Sequence, residues 1–135
     1  MNTKLQAVFT KNHLRSTRPR LAVFAALEHA VAPVSIAELA GICPDIDKVS
    51  VYRIINVFLK LDIVKSVPYG WKQRYELAEP FNPHHHHIHC TNCKCVVEIH
   101  STKLEQMLTA IALDYNYVVT SHTFEISGLC SNCRL

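Results

Sequence analysis

Two short cysteine pairs constrain this chain more than anything else in it. Cys90-Thr91-Asn92-Cys93 and Cys130-Ser131-Asn132-Cys133 share the CxxC spacing and stand 40 residues apart. Two intervening residues let both sulfurs of a pair point at one centre, and two such pairs complete a tetrahedron around zinc. A fold of this chain must therefore bring position 90 beside position 130. A redox CxxC of the thioredoxin kind needs a βαβ pattern, and none surrounds either pair.

The staple matters because the chain is short. Its 135 residues suffice for one compact domain or two small ones. The last 50 or so are few for an independent core. Structural zinc contributes on the order of 10–16 kcal/mol near neutral pH, so a metal staple and a dimer interface would supply what the core lacks. Two cysteines are left over. Cys95 makes the local string CxxCxC, which makes ligand swapping conceivable. Cys43 lies on the apolar stripe of a helix and is expected in the core.

Histidine is the second concentration of chemistry. Five of nine fall within 84–89, and His84-His85-His86-His87-Ile88-His89 leads straight into Cys90. In an extended segment alternate residues point to opposite faces. His85 and His87 then face one way, His84 and His86 the other, and each half-site needs partners from elsewhere. Glu76, Glu98, Glu105 and His122 are the candidates. Imidazole plus carboxylate suits Zn, Fe(II), Mn(II) or Ni(II) without choosing among them. A solvated polar linker is the plain alternative, and four consecutive histidines beside a zinc knuckle argue against it.

Charge divides the chain differently. Residues 1–80 hold eleven Lys and Arg against seven Asp and Glu, and residues 81–135 hold three against four. A basic first half points toward nucleic acid, although a solvated face has the same composition. Helices are expected over 2–12, from Thr17 and Pro19 onward with Val23, Phe24 and Leu27 inward, and from Ile36 to Cys43, ended by Pro44. The next helix is the sharpest. Val51, Ile54, Ile55 and Phe58 form its apolar stripe, and the opposite face presents Tyr52, Arg53, Asn56 and Lys60. Those groups suit a recognition helix in the DNA major groove; an ordinary surface helix looks similar.

Strands over Ile63–Pro68 and Arg74–Leu77 around a Tyr69–Gly70–Trp71 turn complete a winged helix. Lys65, Lys72 and Arg74 sit where a wing touches phosphates. Ala78-Glu79-Pro80-Phe81-Asn82-Pro83 reads as a boundary. Beyond it come strands near 86–90 and 95–99, a helix near 102–113 with Leu104, Met107, Leu108 and Ile111 on one stripe, and strands near 117–120 and 123–128. The class is α/β (α+β): a winged-helix domain over 1–78, a hinge over 79–83 and a metal-binding dimerisation domain over 84–135.

These motifs together resemble the ferric uptake regulator family. Ser50-Val51-Tyr52-Arg53 is similar to the TVYR of its recognition helix. HHHHIHCTNC resembles its histidine stretch running into a first CxxC, EISGLCSNC its closing CxxC, and RSTRPR its start. The resemblance runs through essentially the whole chain. It implies a repressor that binds a palindromic double-stranded DNA operator as a metal-loaded homodimer. By position it puts Arg15 in the minor groove and Tyr52 and Arg53 on bases and phosphates. It puts Glu76, His85, His87 and Glu98 in the sensing site, and His84, His86, Glu105 and His122 in a second site. Structural Zn2+ and a regulatory Zn2+ or Fe2+ are the implied cofactors.

Three departures from the family pattern stand out. Pro33 occupies the position of a sensing histidine, so the site closes with fewer ligands or takes His29 or His89 as a substitute. Lys94 replaces a common glycine after Cys93; at positive φ a non-Gly residue costs roughly 1–2 kcal/mol. The chain stops at Leu135, so no histidine-rich tail is expected to add ligands. Among the family's branches, Glu76 stands where peroxide sensors carry Asp, and the four-histidine run leans toward zinc over iron. The cysteine of some zinc sensors, near Ala78, is absent.

Other classes fit less well. A zinc deaminase needs Glu two residues after a metal-binding His, and no histidine of this run has one. Four thiolates also leave zinc no open position for water, so neither an enzyme nor a small-molecule substrate is expected. A zinc-ribbon interaction module without DNA binding is the remaining rival. No run of about 18 apolar residues and no secretory signal are present, and a cytoplasmic protein is expected.

Overall fold

Asn2 opens the first helix because its side-chain oxygen accepts the Lys4 and Leu5 N–H groups at 3.0 and 3.3 Å. This helix, α1 (Thr3–Lys11), buries Leu5 and Phe9. It belongs to the first of two units into which the chain divides, Met1–Pro83 and His84–Leu135. The computed structural model describes residues 2–69 and 72–135.

The rest of the first unit follows the expected periodicity. α2 (Arg18–His29) begins after Thr17 with Pro19 in its first turn, but the Thr17 side chain makes no capping bond. α3 (Ile36–Ile42) is opened by a capping box between Ser35 and Glu38. α4 (Lys48–Lys60) is opened by Asp47, which accepts the Ser50 N–H at 2.9 Å. Val23, Phe24, Leu27, Leu39, Cys43, Val51, Ile54, Ile55 and Phe58 share one core. The apolar stripes read from the sequence are thus the packed faces.

β1 (Val64–Tyr69) and β2 (Lys72–Leu77) pair antiparallel from Val64 opposite Leu77 to Tyr69 opposite Lys72. Gly70 and Trp71, expected in the turn, lie outside the described residues. Val34 adds a bridge to Tyr75. Helices followed by this hairpin form the winged-helix arrangement.

The second unit holds β3 (His86–Cys90), β4 (Val96–Ile99), α5 (Thr102–Asp114) and β5 (Glu125–Gly128), with strand order β4-β3-β5. β4 returns antiparallel to β3, and β5 comes back parallel to it after α5. Parallel strands need such a crossover. The register places Cys90 opposite Gly128. That single pairing removes a separation of 38 residues and brings the two CxxC knuckles to one end of the sheet.

Two features differ from the expectation. Among the described residues no strand forms over 117–120: the Tyr117 N–H turns back to Ala112 O at 2.8 Å, closing α5, and Tyr117 and Val118 are exposed. A strand needs a hydrogen-bonded neighbour, and β3 takes β5 instead. Second, α5 has no buried residue, and Met107 and Ile111 of its stripe are about half exposed. The buried side chains of this unit are Cys90, His85, His86 and His87, against sixteen among the described residues of the first unit's apolar core. The second unit is thus built around donor groups rather than around hydrocarbon.

Candidate metal centres

The thiols of Cys90, Cys93, Cys95 and Cys130 lie within 4.8 Å of one another. Cys93 Sγ is 3.7 Å from Cys130 Sγ, and Cys133 Sγ accepts from Asn92 Nδ2 at 3.3 Å. The two knuckles fold alike. Lys94 N–H returns to Cys90 O at 3.0 Å, and Arg134 N–H returns to Cys130 O at 3.0 Å. Lys94 has φ 67°, in the left-handed region, so the cost stated for a non-Gly residue there applies. Five thiols therefore gather where four were expected, with Cys95 the addition. Its carbonyl accepts the Cys90 N–H at 2.9 Å, which fixes its backbone beside the site.

Electrostatics explain what such a cluster requires. The N–H groups of Cys130 and Cys93 point at Cys90 Sγ and push its pKa down to about 5. Cys130 is lowered too, through the N–H of Asn132 and its neighbours. Cys93 receives the Cys95 N–H, yet the sulfurs of Cys95, Cys90 and Cys130 outweigh it and drive Cys93 up to about 11. Cys133 is held up to about 11 despite Asn92, by Cys130, Cys90 and Cys93. Crowded thiols resist full ionisation unless a cation neutralises them, and thiolate sulfur is the donor zinc prefers. The donor set fits.

The histidine run splits across β3 as the alternation requires. On one face His84 Nε2 is 3.0 Å from His122 Nε2, and Glu105 lies 2.7 Å from His86 Nε2, 3.2 Å from His84 Nε2 and 2.8 Å from His122 Nε2. Three imidazole nitrogens and both oxygens of one carboxylate converge. The hydrogen bond with His86, helped by the charges of His122 and His84, holds the Glu105 carboxyl below its ordinary range. All four expected residues of the second site are brought together.

On the other face His85 Nε2 and His87 Nε2 are 3.1 Å apart, with Glu98 Oε1 3.8 Å from His85. Two ring nitrogens so close offer neighbouring lone pairs of the kind a divalent cation takes. Glu98 sits opposite His87 in the β3–β4 register. Glu76, the fourth expected member, is a buried residue of β2 in the first unit, with Lys65 Nζ 3.1 Å away.

Three features were not foreseen. Glu125 Oε1 lies 3.1 Å from His87 Nδ1, because the parallel register sets Glu125 opposite His87. A carboxylate on Nδ1 presents Nε2 as the ligand nitrogen. His100 Nε2 lies 3.5 Å from Glu98 Oε2. Glu125 was not legible, since nothing local announces a cross-strand neighbour, whereas His100, two residues after Glu98, follows from strand alternation. Pro33, finally, offers its carbonyl to Arg74 Nη1 at 3.1 Å, and Arg74 also pairs with Glu38 at 2.8 Å. Arg74 thus braces the wing against α3, unlike the phosphate contact expected of it.

On the first unit, Tyr52, Arg53 and Lys60 are exposed along α4 and Asn56 is half-buried, while Arg15 is exposed ahead of α2. The Arg15 carbonyl accepts from Arg20 Nη1 at 2.7 Å. The face opposite the core is therefore available to a partner.

Residues 11–127 match the ferric uptake regulator family. A ferric uptake regulation protein of Campylobacter jejuni is 27% identical over 97% of this chain and 87% of its own length. The peroxide-responsive repressor PerR of Staphylococcus saprophyticus is 32% identical over 91% of this chain and 84% of its own. The solved structure of the Helicobacter pylori ferric uptake regulator, described as having three functional metal binding sites, superposes with TM-score 0.83 at 24% identity, covering 98% of this chain and 91% of that one.

Proposed function

The chain belongs to the ferric uptake regulator family of DNA-binding transcription regulators, and from that premise we propose that it is a metal-responsive repressor acting as a homodimer on a palindromic operator in the cytoplasm. Among the described residues no helix is long and apolar enough to cross a membrane. The half-exposed stripe of α5 supports a second copy as its partner.

The observation that carries the reading is the division of donors across β3. Four consecutive histidines serve two separate carboxylate-bearing clusters, within a chain whose other unit exposes a basic helix face. Cys90, Cys93, Cys130 and Cys133 would hold structural Zn2+, because the two knuckles have matching turns. Glu76, His85, His87 and Glu98 would hold the sensed ion, and His84, His86, Glu105 and His122 a second one. A bound divalent ion supplies charge that neutralises and cross-links these donors.

Occupancy of the sensing site would be the switch. Arg15, Tyr52, Arg53, Asn56 and Lys60 then act on DNA: the cations on phosphates, Tyr52 and Asn56 on groove edges. Loading must favour the DNA-competent arrangement, or no switching follows. The four-histidine run favours zinc as the sensed metal. Iron(II) is the second reading, favoured by relatives named for ferric uptake and peroxide response, with manganese behind it.

The test is to measure metal content by elemental analysis, strip the labile ions, and titrate a palindromic operator with each candidate metal added back. Tightening by one metal at physiological concentration is expected. Operator affinity indifferent to chelation would overturn the switch.

A further inference from the structure

The β3–β4 register runs His87 opposite Glu98 and His86 opposite Ile99. His85 and His100 each stand one residue beyond that pairing, at the same end of the two strands. Side chains on directly opposed positions share a face. His85, His87, Glu98 and His100 thus form a two-by-two patch, every corner a metal donor. Their contacts agree: His85 and His87 meet at 3.1 Å, Glu98 reaches His85 at 3.8 Å and His100 at 3.5 Å, and the His85 and His100 rings lie 5.9 Å apart, tilted by 40°.

We propose that His100 is a metal ligand, so that the second unit by itself supplies three imidazoles and a carboxylate to the sensed ion. The inference rests on the reading of His85, His87 and Glu98 as a metal site, and it adds a donor from the end of β4. It also accounts for the loss of a donor at Pro33, whose carbonyl is engaged by Arg74. The two carboxylate oxygens of Glu98 face different histidines, so Glu98 links His85 to His100. Glu125 stands behind His87, on its Nδ1, and acts as a positioning residue. A nitrogen-rich set of this kind suits Zn2+, Fe2+, Co2+ or Ni2+ and suits Mn2+ or Mg2+ poorly.

Co2+ is the probe, because its visible absorption reports ligand number and type. The full chain carrying His86→Ala, with structural zinc retained, removes the competing cluster from the titration. Co2+ is then titrated against a chelating competitor. His100→Ala and the closer-sized His100→Asn are expected to weaken binding at least about ten-fold and to change the visible bands. His100→Asp, which returns a donor, is expected to recover most of the affinity with a different spectrum.

Two outcomes separate the layers of the inference. If His100→Ala and His100→Asn leave affinity and spectrum unchanged while His87→Ala abolishes binding, His100 is no ligand and the site stands without it. If His87→Ala also changes nothing, the site itself is wrong. Retained zinc and unchanged circular dichroism identify the variants that report on ligation; His100 is largely exposed, so its replacement leaves the packing intact.

Discussion

His87 Nδ1 lies 3.1 Å from Glu125 Oε1, in the parallel register of β3 with β5. The carboxylate fixes which ring nitrogen faces His85 and raises the basicity of the one that does. Removing it frees the ring to rotate. Glu125→Ala is expected to weaken labile-metal binding by about 10–100-fold while leaving zinc content unchanged. Competition titration reads the loss, and an unchanged affinity would assign Glu125 to the surface.

The second unit should depend on its thiol-bound zinc. α5 buries no side chain, and the interior of the unit is one cysteine and three histidines. Structural zinc contributes on the order of 10–16 kcal/mol, more than this packing supplies. Chelation strong enough to remove zinc is expected to abolish amide-exchange protection over 86–128 while α4 stays protected. Protection that survives zinc loss, checked by elemental analysis, would refute the dependence.

Lys94 adopts φ 67° in the turn after Cys93. Relief of the left-handed strain is worth roughly 1–2 kcal/mol, and the greater unfolded freedom of glycine takes back roughly 0.4–1 kcal/mol. Lys94→Gly also gives up the Nζ contact with Thr91 O at 2.6 Å. A gain of under about 1 kcal/mol is expected, read as a higher denaturation midpoint of the zinc-loaded chain.

The two faces of α4 should separate stability from DNA binding. Phe58 is fully buried, with its ring centroid 6.2 Å from that of Phe9. Phe58→Ala is expected to cost about 3–5 kcal/mol. Tyr52→Ala with Arg53→Ala touches exposed positions. That pair should leave the melting temperature nearly unchanged and abolish operator binding in a mobility-shift titration. A zinc-ribbon module without DNA function predicts no operator binding to lose.

Glu38 supplies a pH test. Burial would raise its carboxyl pKa, but the Ser35 N–H and the Arg74 guanidinium outweigh that and lower it. A lowered folded pKa contributes stability above the unfolded carboxylate value, and that contribution disappears as pH falls through the folded one. Glu38→Gln should therefore be less stable than wild type near pH 7, by under about 1 kcal/mol for so exposed a pair. The gap should close on acidification below the ordinary carboxylate range. A gap that persists at the lowest pH would point to packing rather than charge.

Much of this was legible residue by residue. The stripe Val51, Ile54, Ile55, Phe58 is the buried face of α4, and the odd and even histidines do take opposite faces of β3. The strand expected over 117–120 was not there, because a β-prone run stays irregular without a partner. Arg74 looked like a wing cation, and Glu38, 36 positions away, claims it instead.

The sequence by itself determined whatever repeats at the period of a helix or a strand, and the spacing of two sulfurs within a knuckle. These follow from local backbone geometry, which every short segment carries with it. Only the tertiary structure decided that Gly128 lies beside Cys90 and Glu125 beside His87, and that Cys95 joins the thiols. The first two neighbours are set by strand register, and register comes from packing and pairing across dozens of residues, with no local period to announce it.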